Sequence, residues 1–216
     1  MNAKCIKAEP LAQYGIGAKN PTHLKWLVRK RGINPLLDGD TMTAIMIPAW
    51  IDGEMQPVEK LDAHVRGLRH KAVSVFLMAG GSLLIQRRAL GKYHTPGLWA
   101  NTCCTHPEWN EPDADCAVRR LAEELGITNV HVEHRGQVEY RADVGNGLTE
   151  HEVVEIFVVE TAADVMIRQN PDEVMEIRWI TLDGLHAEIA ATPEVFTPWL
   201  RIYMAKYSKL IFGSET

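Results

Sequence analysis

The longest near-apolar run in the chain, Ala72–Gly81, sets the first constraint on its fold. It is about half the length that a bilayer-spanning helix needs. Ala72-Val-Ser-Val-Phe-Leu-Met78 is apolar and β-branched, Ala79-Gly-Gly-Ser82 is turn-forming, and Leu83-Leu-Ile-Gln-Arg-Arg88 returns. That pattern predicts a β-hairpin. Trp99–Thr105 reads as one extended segment ending at His106-Pro107. After Pro112, the spacing of Ala114, Ala117, Val118, Leu121 and Leu125 predicts a helix, with Gly126 as its stop. Residues 132–142 and 150–161 flank Gly145-Asn-Gly147 as a second hairpin, and 176–180 adds a strand. A last helix is predicted from near Pro198 toward Leu210. The order β-β-β-α-β-β-β-α implies an α+β fold, a mixed sheet sandwiched between helices in a single domain.

Composition agrees with such a core. The 216 residues are 46% hydrophobic with a formal net charge of −5, which suits one globular domain and disfavours general nucleic-acid binding. Cys5, Cys103, Cys104 and Cys116 are too few, and two of them too close, for a secreted disulfide framework, so a reducing cytoplasm is the expected compartment. Residues 1–40 are basic against the rest, with seven Lys/Arg and three Asp/Glu. Gly and Pro interrupt this stretch, and within it 23–31 alone has the pattern of a short amphipathic helix. Residues 1–45 therefore read as an N-terminal extension, a tail or an upstream start artefact, and 46–216 as the folded part.

Two segments carry chemistry. In the predicted helix, Arg119 and Glu123 lie four apart, as do Arg120 and Glu124, so each pair meets on one face. A solvated ion-paired surface would look the same. In Asn101-Thr-Cys-Cys-Thr-His-Pro107, strand alternation puts Cys104 and His106 on one face, with Cys103 and Thr105 opposite. By the same rule Glu150 and Glu152 share a face while His151 points away, and Tyr140 lies within reach on the partner strand. Each motif alone fits a buried thiol or a polar strand edge equally well. Cys5, Cys116, His94, His134 and Trp26 are read as ordinary thiols, surface imidazoles and an apolar contact of the tail.

Glu111, then Arg119-Arg-Leu-Ala-Glu-Glu-Leu-Gly-Ile127, resembles the Nudix box: Gly, five residues, Glu, seven residues, Arg-Glu-aliphatic-x-Glu-Glu-x-Gly-aliphatic. Thr105 replaces the opening Gly and Arg120 replaces the second Glu. A guanidinium there removes a metal ligand and adds a phosphate-binding fork, which points away from hydrolysis. With Gln86-Arg-Arg-Ala-Leu90, Trp99 and the Cys-Cys-Thr-His segment, the chain resembles the type 1 isopentenyl-diphosphate Δ-isomerases from about Met46 to Gly213. The resemblance implies a Nudix-like fold and a prenyl diphosphate substrate in a monomer or homodimer that neither spans a membrane nor binds nucleic acid. It further implies Mn²⁺ or another divalent ion on His64, His70, His106, Glu150 and Glu152. Mg²⁺ is implied with the diphosphate, near Glu124 and Cys104. Cys104, Glu152, Tyr140 and Trp199 are the implied catalytic residues, and Lys60, Arg88, Lys92 and Arg120 the implied substrate-binding ones. The competing readings are a Nudix pyrophosphohydrolase and a silent prenyl-diphosphate-binding protein.

Overall fold

The computed structural model describes residues 44–162 and 164–213. The readings of 1–43, including the helix at 23–31, Cys5 and Trp26, lie outside the described residues. A tight hairpin, β1 (Met46–Ile51) and β2 (Glu54–Glu59), leads into α1 (Lys60–Arg66). The Glu59 carboxylate caps α1 by accepting from the Leu61 and Asp62 amides, and Gly67 ends it in the left-handed region at φ 59°. This short helix puts Lys60 and His64 one turn apart.

The long strand β3 (Arg69–Ala79) organises the rest. One edge pairs in parallel with β8 (Thr149–Glu160) from Arg69 to Met78. The other edge is divided: β1 meets it at His70, β6 (Cys103–Thr105) at Val73–Val75, and β4 (Ser82–Arg88) at Met78–Ala79. β4 continues into β9 (Val174–Thr181), and β7 (Glu133–Asp143) closes the other side on β8.

Where β3 changes partners, polar side chains take over the lost backbone bonds. Thr102 Oγ1 accepts from the Leu77 amide at 2.8 Å and donates to the Leu84 carbonyl at 2.6 Å. Asn101 Nδ2 donates to the carbonyls of Val75 and Cys103. The extended segment expected over 99–105 is therefore two strands, β5 (Trp99–Ala100) and β6, split at these two residues.

β3 is buried on both faces, and its parity sorts two cores. Ala72, Phe76 and Met78 join Val154, Ile156, Tyr140 and Trp199 on one face. Val73, Val75 and Leu77 join Cys103, Phe157 and α2 (Asp113–Leu125) on the other, where Cys116, Ala117, Leu121 and Leu125 form the buried stripe. The mixed sheet between helices is as the sequence implies. α3 (Leu182–Ala191) was not anticipated. The expected last helix is interrupted: α4 (Pro198–Ile202) and α5 (Ser208–Phe212) flank a π-helical stretch, Tyr203–Tyr207. There Tyr203 points inward, its hydroxyl 2.9 Å from Ser74 Oγ.

Candidate active site

Parity places the site on the first of these faces. His70 on β3, Glu150 and Glu152 on β8, and Tyr140 on β7 all take even positions, and His70, Tyr140 and Glu152 stand abreast in register. The three imidazoles of His64, His70 and His106 form a near-equilateral triangle, with ring centroids 4.7, 5.0 and 5.0 Å apart. Together with Glu152 they offer one ligand atom each within 4.8 Å of one another, all buried.

Backbone carbonyls fix the tautomers of two of these rings. A carbonyl only accepts, so His64 Nδ1–H donates to Lys60 O at 2.6 Å and His70 Nδ1–H donates to Leu68 O at 2.7 Å. Each Nε2 is left as a buried lone pair without a hydrogen-bond partner among the described residues. His106 Nε2 instead lies 3.0 Å from Glu152 Oε1 and must release its proton to become a ligand. Orphaned, oriented imidazole nitrogens beside a carboxylate fit a divalent cation. Burial pushes His64 down to about 4 and His106 well below the usual range, which favours the uncharged form of both rings.

The Tyr140 hydroxyl lies 2.6 Å from Glu152 Oε2 and 2.9 Å from Glu150 Oε2. The two carboxyls split. Burial opposes the charge on Glu152, but the hydrogen bond from His106 outweighs it and holds that group well below the ordinary range. Burial beside that charge pushes Glu150 well above it. Across β3, Ser74 Oγ–H donates to Cys104 Sγ at 3.2 Å, and burial together with the two glutamates raises the thiol well above its usual value. Cys103 lies opposite, in the second core.

A pocket of about 360 Å³, its open mouth included, is lined by Cys104, His106, Glu150, Glu152 and Trp199, with Lys60, Arg88, Lys92 and Arg120 as its cations. Crowding is enough to disturb them: burial, then Lys92, Arg120 and Arg88, push Lys60 down to about 8. Trp199 is buried, and the Arg88 guanidinium lies 5.2 Å from its ring.

The structure places the expected residues unevenly. Glu150 is grouped with His64 and His94 rather than with the three histidines, while the Tyr140 hydroxyl joins it to Glu152. Neither Cys104 nor Glu124 joins either group. Glu124 uses both oxygens on protein partners, Arg120 Nη2 at 2.6 Å and Gln86 Nε2 at 2.8 Å. His94, read as a surface group, is 5% exposed and edges onto Trp199 at 5.8 Å. It escaped the sequence because its loop, Leu90-Gly-Lys-Tyr-His-Thr-Pro-Gly97, has no period from which to infer direction. Glu173 was missed too; it pairs with Lys92 and lies 3.5 Å from Arg120 Nη2. His134 is indeed exposed, paired with Glu155.

Residues 68–200 match the NUDIX domain family. An isopentenyl-diphosphate Delta-isomerase from Cereibacter sphaeroides (strain ATCC 17025) is 66% identical over 168 residues, covering 78% of this chain and 95% of that protein. Its namesake from Dinoroseobacter shibae is 63% identical over 169 residues, covering 78% and 96%. Among solved structures, DR0079 from Deinococcus radiodurans superposes with a TM-score of 0.60 at 16% identity, covering 74% of this chain and 98% of its own, a likeness of fold alone. With a family match over residues 68–200, and relatives this similar along nearly their whole length, the chain belongs to the isopentenyl-diphosphate Delta-isomerase family of NUDIX-domain proteins.

Proposed function

We propose that this protein interconverts isopentenyl and dimethylallyl diphosphate, an isomerisation that moves one double bond by adding one proton and removing another. The observation that carries the reading is the placement of two proton-exchanging groups on either flank of β3. Cys104 lies on β6, opposite Ser74, and Glu152 on β8, opposite His70. Laterally their backbones are two strand spacings apart, roughly 9–10 Å, and along β3 they are four residues apart, so the two side chains converge obliquely on the pocket that both line. An allylic chain lying over β3 then meets the thiol on one side and the Tyr140–Glu152 pair on the other.

Each residue has a definite task. Lys60, Arg88, Lys92 and Arg120 bind the diphosphate at the mouth, Mg²⁺ arriving with it as part of the substrate. Arg120 is aimed by Glu123, at 2.7 Å, and by Glu124, so Glu124 serves as the anchor of a phosphate ligand. Trp199 offers an aromatic face to developing positive charge and has no nucleophile with which to trap it. The buried walls exclude water, which would otherwise capture a carbocation. Cys104, its thiol held protonated by burial, donates or accepts at one carbon; Tyr140 shuttles a proton to or from Glu152 at the other.

His64, His70, His106 and Glu152 would hold the divalent cation, Mn²⁺ or a similar ion, with Glu150 at its edge. When bound, such an ion stabilises the charged carboxylate and fixes its orientation. The described residues contain no helix long and apolar enough to cross a membrane, and Cys103, Cys104 and Cys116 are free thiols, in keeping with a reducing cytoplasm.

Proton NMR of isopentenyl diphosphate in D₂O with purified protein and Mg²⁺ tests the reading. Deuterium should enter the substrate while dimethylallyl diphosphate appears. Phosphate release from nucleotides or prenyl diphosphates without such exchange would make the protein a hydrolase.

A further inference from the structure

Ser74 is a polar residue in the middle of an apolar strand, between Val73 and Val75, and it is fully buried. Its oxygen meets two partners, Cys104 Sγ at 3.2 Å and the Tyr203 hydroxyl at 2.9 Å. Tyr203 opens the π-helical stretch that interrupts the last helix, and it too is fully buried. Such stretches are frequent at functional sites, where they re-aim a side chain.

Proton counting fixes the direction of this chain. Each hydroxyl has one proton to donate, and so does the thiol. Among the described residues the Tyr203 hydroxyl has no hydrogen-bond partner besides Ser74. If Cys104 donated to Ser74, Ser74 would donate to Tyr203, and the Tyr203 proton would be buried without an acceptor. That outcome is costly. In the opposite direction Tyr203 donates to Ser74 and Ser74 to the sulfur, so both hydroxyl protons are used. The Cys104 proton is then turned away from Ser74. Cys104 lines the pocket whereas Ser74 and Tyr203 do not, so a proton turned away from them is left on the pocket side.

We propose that Ser74 and Tyr203 are positioning residues for Cys104, a hydroxyl chain running from Tyr203 through Ser74 to the sulfur that keeps the thiol proton facing the substrate. Its catalytic consequence rests on the isomerase reading, whereas the direction of the chain is a property of the protein without substrate. Removing the Tyr203 hydroxyl frees Ser74 Oγ to accept from the thiol, which turns the proton back into the sheet. Tyr203→Phe does this while keeping the ring edge-on to Phe76 and Tyr140.

Infrared spectroscopy of the S–H stretch in the full-length protein reads the direction, with the Cys104 band isolated in each background by subtracting the spectrum of Cys104→Ala. In the unsubstituted protein that band should lie at the frequency of a thiol that donates no hydrogen bond. Tyr203→Phe should shift it to lower frequency, and adding Ser74→Ala should cancel the shift. In turnover, Tyr203→Phe should lower kcat by at least about fivefold and leave KM for isopentenyl diphosphate within about twofold. Tyr207→Phe removes a hydroxyl from the same π-helical stretch, one that donates to the Glu139 carbonyl instead, and should leave the band in place and kcat within about twofold. An absence of isomerisation by the unsubstituted protein would fail the isomerase reading, and the band would still decide the direction of the chain. A band that Tyr203→Phe does not move, an unchanged kcat where the band does move, or an equal loss of kcat in Tyr207→Phe would overturn the proposal. So would a band already lowered in the unsubstituted protein, an outcome that stands even if circular dichroism shows Tyr203→Phe to be misfolded.

Discussion

At the scale of single residues, adjacent cysteines separate two roles by parity alone. Ser74 donates to the Cys104 sulfur inside the site, while Cys103 packs among Val73, Leu121 and Phe157 on the far face of the sheet. Cys104→Ala should therefore abolish isomerisation and Cys103→Ala largely spare it. Both proteins should remain folded, since a thiol-to-methyl change leaves a void worth about 1 kcal/mol or less. Reversed activities would mean that the strand presents the opposite face. Strand parity was legible because Asn101–Pro107 and Glu150–Glu152 are extended, where alternation fixes direction. His94 and Glu173 were not, because neither lies in a segment with a period.

Lys60 makes a second residue-scale prediction. Burial and three neighbouring cations lower it from 10.5 to about 8, so between those values the unfolded chain holds a proton that the folded one has lost. The unfolded state binds more protons there, and the sign follows: the penalty Lys60 imposes on the fold is fully present below about 8 and relieved as pH rises toward 10.5. A bound diphosphate reverses the shift by favouring the charged amine. Inorganic diphosphate should accordingly bind with proton uptake at about pH 8.5 and more weakly as pH rises further. Calorimetry in two buffers of different ionisation enthalpy measures that uptake, and Lys60→Met should remove it. Equal heats in both buffers for the unsubstituted protein would contradict the shift.

At the scale of elements, α2 shows what a substitution in a familiar pattern does. Its apolar stripe and Gly126 stop were readable from period and punctuation, and Arg119 meets Glu123 at 3.1 Å as the spacing implied. The sequence could not show that Arg120 sits among Glu123, Glu124 and Glu173, because Glu173 comes from a distant loop. Arg120→Glu would gather four carboxylates at the mouth and remove a phosphate donor. Diphosphate affinity should fall by about 1.5–3 kcal/mol, read as a raised KM at low Mg²⁺, and slow diphosphate cleavage should become detectable. An unchanged KM without cleavage would strip Arg120 of both its roles. The β1–β2 hairpin had a legible signal, Asp52-Gly53 with both residues at positive φ. Pro48 and Pro57, opposite each other in register, disguise strands that sit at an edge of the sheet.

At the scale of the whole molecule, every residue assigned to chemistry lies between Lys60 and Tyr203. The first matched cation is Lys60 and the first metal-ligand candidate is His64, both on α1. The Dinoroseobacter shibae isomerase is covered over 96% of its length by only 169 residues of this chain. Residues 1–41 oppose the rest of the chain in charge, and their Gly and Pro leave few apolar positions from which to build a second core. A protein starting at Met42 should then keep its metal content, turnover and melting temperature within error of the full chain. The discriminating measurement is turnover against melting temperature in the same pair of proteins. Loss of turnover at an unchanged melting temperature would mean that Leu24, Trp26, Leu27 and Val28 act at the pocket. Loss of both would make those apolar residues part of the fold, and either outcome would refute dispensability.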